Sequence, residues 1–201
     1  METCKALSSA GAKVFLCSRS VAAGEKAVTE EVAQTGLGGY IGEPSQIIVK
    51  ELDLNSLKSV KRFAEDFLRT ESRLDLLVLN AGIMATPSLQ RTEDGFEKQI
   101  GVNHMGHAYL TSLLKNVMTA QSTPSRIVSL ASSAHAFGGV DTDDLHYKKG
   151  RMYTPWGSYG QSKLANLLFA KSLGDKLKGT SVTALSVHPG EIDDLDALRQ
   201  Q

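Results

Sequence analysis

Short apolar runs, β-branched or leucine-rich, recur along the chain with longer helical patterns between them. They are Ala12–Cys17, Gln46–Leu52, Asp75–Asn80, Arg126–Ala131 and Val182–Val187. Each is nearly continuous in apolar residues, as in strands buried on both faces. Helical periodicity is predicted over Val21–Thr35, Ser56–Thr70, Thr92–Ala120 and Ser158–Lys178. Strand and helix in alternation predict an α/β fold with a parallel, doubly wound sheet. In that architecture ligands sit beyond the carboxyl ends of the strands. Residues directly after each run therefore take a functional reading first.

The rest of the sequence sets bounds. A chain of 201 residues predicts one domain with a sizeable core. Its formal net charge is zero, which gives no sign of a nucleic acid partner. No window approaches the run of about 20 apolar residues that a membrane-spanning helix needs, and no signal peptide is visible. Cys4 and Cys17 are too few for a disulfide framework. His104 and His107 lie three apart with no carboxylate or Cys cluster, so no metal site is expected. The run "TGLGGYIG", with Gly36, Gly38, Gly39 and Gly42, follows a helix rather than a strand and reads as a loop.

"SYGQSKLANLLFAKSLGDKL" begins at Ser158. Tyr159 and Lys163 stand four apart, which puts them on one helix face. A free phenol titrates near 10 and is a poor acid or base at neutral pH. A nearby ammonium favours the phenolate, and a tyrosine so tuned can exchange a proton with an alcohol or carbonyl oxygen. Ser132 and Ser133 end the Arg126–Ala131 run, where a hydroxyl could hold the same oxygen. Alone, the Tyr-x-x-x-Lys spacing is common and better fits a helix start with a solvated lysine, and it is the other motifs that overturn this. "LDLLVLNAGI" ends a strand in Asn80-Ala81-Gly82, where glycine permits close backbone approach to a ligand. Asn103 sits mid-helix, where it can bend the helix or hold water.

These segments together resemble the short-chain dehydrogenase/reductase family, and most closely its retinol-dehydrogenase-like members. The carrying segments are "NAG" at Asn80–Gly82, "VNHMGHAYLT" at Val102–Thr111, "RIVSLASSAHA" at Arg126–Ala136, "YGQSKLANLLFAKSL" at Tyr159–Leu173 and "VHPG" at Val187–Gly190. The resemblance implies a Rossmann-like sheet and an NAD(P)-dependent oxidoreductase that interconverts an alcohol and a carbonyl. It implies Tyr159 as general acid/base and Lys163 as the group that lowers its pKa and holds the nicotinamide ribose. It implies Ser132 as the substrate-oxygen donor, with Ser133 as runner-up, and Asn103 as support for a relay water. Asp53 with Leu54, then Asn80, Ala81, Gly82, Pro189 and Gly190, would line the cofactor. His104, His107 and His135 would be packing or hydrogen-bonding residues.

An acidic residue at the end of the second family strand favours NAD, and an arginine there accommodates the 2′-phosphate of NADP. "FLCSRS" offers Arg19 and no acid, which favours NADP over NAD. The expected substrate is a small lipophilic carbonyl or alcohol, retinal-like, by resemblance. "GGVDTDDLHYKKGRMYTPWG" would border its mouth or form a surface loop, with Tyr153 and Trp156 as candidate apolar walls. A homodimer through the two long helices is a further expectation. The family's first strand with its TGxxxGxG turn has no counterpart here, nor has the segment beyond "HPG". The expected domain is thus residues 1–201, truncated at both ends. The alternative is a truncated, non-catalytic interaction protein.

Overall fold

The computed structural model describes residues 1–33 and 47–190, with side chains described through Glu30 and again from Ile47. The Gly36–Gly42 run, Gln46 and the acidic tail after Gly190 lie outside them. The chain divides into two compact units, Met1–Asp53 and Leu54–Gln201.

In the first unit, helix α1 (Glu2–Ser9) leads to strand β1 (Val14–Ser18), helix α2 (Val21–Ala33) and strand β2 (Ile47–Glu51). The two strands pair in parallel, from Val14 opposite Ile47 to Ser18 opposite Glu51. A parallel pair needs a crossover, and α2 supplies it, packing on both strands. Val14, Val28 and Ile47 form the buried centre, with Met1, Cys4, Leu7, Ala12, Leu16 and Val49 around it. The helix can lie that close because residue 24 is glycine. A Cβ there would stand 2.6 Å from Val49 Cγ1.

In the second unit, helix α3 (Leu57–Thr70) precedes strand β3 (Leu76–Leu79). It buries Val60, Phe63, Ala64 and Phe67, spaced i, i+3, i+4 and i+7 on one face. Each of its larger apolar side chains contributes about 2 kcal/mol by leaving water. That face packs on helix α5 (Gly106–Ala120), which buries Leu110, Leu114 and Met118. Strand β4 (Ser125–Leu130), helix α6 (Pro155–Lys176) and strand β5 (Val182–Val187) complete the unit. β3, β4 and β5 form a parallel sheet in that order, and α6 packs on β4 and β5.

The parallel α/β architecture is the one the sequence predicts, and the sheet is incomplete. Among the described residues β1 pairs only with β2, and β3 only with β4. Other expectations shift. The helix predicted over Thr92–Ala120 starts only at Lys98, as the single turn α4 (Lys98–Ile100). Gly95 at φ 81° breaks the chain before it, and the buried Glu97 carboxylate caps it by accepting from the amides of Gln99 and Ile100. The backbone then widens into a π-turn over Gly101–Met105, with Asn103 at its centre, before α5 begins. The bend expected at Asn103 is therefore this π-turn. The helix predicted from Ser158 begins earlier, at Pro155, with the Thr154 side chain as its cap. β5 is not buried on both faces. Only Val182 is buried, and Leu185 and Val187 are more than two-fifths exposed.

Candidate active site

Past the carboxyl end of β4 the chain turns into a short 3₁₀ helix, Ser133–Phe137, capped by the Ser132 side chain. That turn lies against the first turns of α6 with no side chain between them. A Cβ on Gly138 would stand 2.5 Å from the backbone of Gly160 and Gln161, and one on Gly160 2.6 Å from the Ala134 carbonyl oxygen. Two glycines thus set the close approach that brings the Ser132 side chain beside Tyr159. Ser133, the alternative donor, is exposed.

Burial pushes the Tyr159 phenol above its ordinary value, and the Ser132 hydrogen bond pulls the other way. Lys163 follows one turn later, buried, with Nζ 5.5 Å from the centre of the Tyr159 ring. Burial pushes its ammonium below the ordinary lysine range. Nζ donates to the Leu130 carbonyl oxygen at 3.2 Å. The lowered phenol that the Tyr-Lys spacing suggested is not what this arrangement gives. Burial of the phenol outweighs the pull of the Ser132 hydroxyl beside it, and the ammonium donates to the end of β4.

Asn103 is fully buried. Its Oδ1 accepts from the Ile83 amide at 2.8 Å, and its Nδ2 donates to the Ile83 carbonyl and to Ser162 Oγ, both at 2.9 Å. Ser162 in turn donates to the Tyr159 carbonyl at 2.7 Å. His107 Nδ1 binds the Asn103 carbonyl oxygen at 3.1 Å. Burial pushes its pKa down to about 4, so the ring is neutral and donates at neutral pH. His104 meets Asn166 at 3.1 Å, and His135 meets the Ser132 carbonyl oxygen at 2.6 Å. Among the described residues no cluster of His, Cys, Asp or Glu could hold a metal.

Asn80, Ala81 and Gly82 are exposed just past the carboxyl end of β3. A Cβ on Gly82 would stand 3.1 Å from Asn103 Oδ1 and 3.6 Å from Lys163 Nζ. The structure therefore gathers Ser132, Tyr159, Lys163, Asn103 and Gly82 in one place. Leu54 does something else. It is buried, and its carbonyl oxygen abuts Gly106, whose Cβ would come within 2.9 Å. Pro189 and Gly190 are exposed beyond β5, with Gly190 at φ 90°. Arg19 and Asp53 belong to the first unit, each just beyond the carboxyl end of one of its two paired strands, and Arg19 is exposed.

Two residues proposed as apolar walls behave differently. Trp156 is 59% exposed and meets the Tyr159 ring edge to face, with centroids 6.1 Å apart. Tyr153 is tied by its hydroxyl, which donates to the Thr86 carbonyl at 2.8 Å and takes a bond from Gln99 Nε2 at 3.1 Å. Sequence reasoning passed over Gln99 and Ser162. The available signal was spacing, since Gln99 lies four residues before Asn103 and Ser162 adjoins Lys163.

The sequence model of the short chain dehydrogenase family matches residues 1–143. Over 191 residues the chain is 44% identical to retinol dehydrogenase 12 of Mus musculus and 46% identical to retinol dehydrogenase 11 of the same species. Both alignments cover 95% of this chain, which spans only 57% of the length of either relative. An uncharacterised protein from Mycobacterium paratuberculosis superposes with a TM-score of 0.80 at 39% identity, over 96% of this chain and 64% of that one. Pseudomonas aeruginosa RhlG, solved as an NADP complex, superposes with a TM-score of 0.70 over 97% of this chain and 69% of that one. At 22% identity that likeness is one of fold. No helix among the described residues is long and apolar enough to cross a membrane. The family match, the relatives and the shared fold agree, and the chain belongs to the short-chain dehydrogenase family, among proteins similar to retinol dehydrogenases.

Proposed function

We propose that the chain is the core of an oxidoreductase that interconverts an alcohol and a carbonyl, with NADP preferred over NAD and a lipophilic, retinal-like substrate. The observation that carries this reading is the gathering of Ser132, Tyr159, buried Lys163 and buried Asn103, with Lys163 Nζ 5.5 Å from the Tyr159 ring centre. The family match runs across both compact units, which supports one dehydrogenase domain. The names of the two mouse relatives support the substrate class.

The residues fit a nicotinamide dinucleotide. Exposed backbone at Asn80–Gly82 leaves room beside Lys163 that any larger residue at 82 would fill. Exposed Arg19 carries the charge that a 2′-phosphate needs. Bound beside Lys163 and Gly82, the cofactor would supply or accept a hydride at the carbonyl carbon.

The rest of the chemistry belongs to this chain. Tyr159 holds its proton at neutral pH, as an ordinary phenol does, and burial pushes the same way. It gives that proton to an oxygen that grows basic as the carbonyl is reduced, and takes it back in the reverse direction. Ser132 donates to the same oxygen and fixes it beside the phenol. Lys163 stands one turn on, its Nζ 5.5 Å from the ring centre, as the group that would hold the nicotinamide ribose. Asn103 holds the Ile83 backbone and, through Ser162, the Tyr159 turn.

The test is reduction of an apolar aldehyde by NADPH, with the chain as it stands. Tyr159→Phe is expected to lose about 100- to 10,000-fold in turnover. Calorimetry should show tighter binding of NADPH than of NADH. Arg19→Leu should cut that preference by about tenfold or more, the loss of one charge-assisted phosphate contact. Turnover that survives Tyr159→Phe would sink the assignment. If neither cofactor binds, the non-catalytic interaction reading moves to the front.

A further inference from the structure

Gln99 is fully buried, and every polar atom of its side chain is used. Oε1 accepts from the Ala85 amide at 2.8 Å. Nε2 donates to the Tyr153 hydroxyl at 3.1 Å and to the Pro155 carbonyl oxygen at 3.0 Å. The Tyr153 hydroxyl lies 2.6 Å from Thr86 Oγ1 and donates to the Thr86 carbonyl at 2.8 Å. One side chain thus ties the Ala85–Thr86 backbone to the first residue of α6.

Asn103 makes the same kind of bridge four residues on, from Ile83 to Ser162. Both amides tie the Ile83–Thr86 segment to α6, and their anchor points there, Pro155 and Ser162, lie on either side of Tyr159 in the sequence. Ala85 holds φ at 51°, which a non-glycine residue keeps only where its surroundings fix it. The Gln99 bond to its amide is such a constraint.

We infer that Gln99 is a positioning residue, which holds the start of α6, and so Tyr159, at a set distance from the Gly82–Thr86 segment. This inference rests on the reaction proposed above. A purely space-filling role would not need the amide. A buried amide costs free energy unless it is fully hydrogen-bonded, and methionine fills a similar volume.

Three variants test it: Gln99→Met, Tyr153→Phe and Gln99→Glu, each checked for folding by circular dichroism. Gln99→Met should lower kcat for an apolar aldehyde with NADPH by about 10- to 100-fold, the scale of a misplacement near 1 Å. KM for the aldehyde and NADPH affinity should stay within about threefold, since ground-state binding is untouched. Tyr153→Phe, which removes only a hydroxyl, should show a smaller loss of the same kind. In Gln99→Glu a protonated carboxyl keeps the acceptor for Ala85 and one donor. Its kcat should recover as pH falls, relative to wild type, which a filler residue would not produce.

Hydrogen exchange gives a reading that needs no turnover. The Ala85 and Tyr159 amides should exchange at least about tenfold faster in Gln99→Met, with the β4 amides unchanged. A Tyr159→Phe variant that keeps turnover, or a wild-type chain without any, would bring down the reaction itself, and exchange alone would then decide the strut. Loss of turnover in Tyr159→Phe with wild-type kcat in both Gln99→Met and Tyr153→Phe would overturn the positioning role. So would unchanged exchange at Ala85 and Tyr159.

Discussion

His107 shows how burial turns a side chain into a fixed donor. Desolvation holds its pKa near 4, against an ordinary value of 6.5. Above about pH 6.5 the ring is neutral in both folded and unfolded chains and contributes nothing to pH dependence. As pH falls below that, the unfolded chain takes up a proton that the folded one refuses until about pH 4. Stability is lost across that window, on the order of 3 kcal/mol from this one group. Urea unfolding of wild type and His107→Gln at pH 7, 5 and 4 should show the variant losing less as pH falls. Parallel curves would mean that other groups carry the acid sensitivity. The sequence made Tyr159 and Lys163 visible through their i, i+4 spacing. It did not make visible that burial would raise the phenol, because desolvation depends on what the fold places around the ring.

At the scale of elements, the site depends on two backbones meeting at Gly138 and Gly160. Glycine is the poorer helix former, and alanine at 160 would add about 1 kcal/mol to helix propensity. Its Cβ would also fall 2.6 Å from the Ala134 carbonyl oxygen, which must then move. Overpacking of that kind typically costs about 1–3 kcal/mol, so the clash is expected to outweigh the propensity. Urea denaturation of Gly160→Ala should therefore show a net loss. A gain in stability would mean that the 3₁₀ turn yields freely. The alternation of strand and helix was legible because apolar runs and 3.6-residue periodicity are local. The start of α4 was not, because Gly95 and the Glu97 cap end a pattern that apolar spacing alone would continue. The π-turn was legible only as a bend at Asn103, since its width is set by bonds to Ile83 and Ser162.

At the scale of the molecule, the two units differ in how much apolar surface they bury. Among the described residues the first buries only Val14, Val28, Ile47 and Leu52 as hydrophobic side chains. The second buries Phe63, Phe67, Leu79, Ile100, Leu114, Met118 and Ile127, with others. Local stability follows buried apolar contacts. The β1 and β2 amides are therefore expected to exchange with solvent at least about tenfold faster than those of β4. Equal protection throughout would mean that the chain opens as one cooperative block.

By itself the sequence determined the parallel α/β class, the order of its elements and the family, because these rest on local periodicity and on motifs whose residues stand close along the chain. It also marked Ser132, Tyr159, Lys163 and Asn103 as a set. The tertiary structure decided which serine meets the tyrosine, where the lysine ammonium points and which buried amides hold the pieces in place. Those depend on contacts such as Gln99 with Pro155 and Gly138 with Gly160, between residues distant in the chain. No local spacing encodes them, because burial and hydrogen-bond partners exist only once the chain has packed.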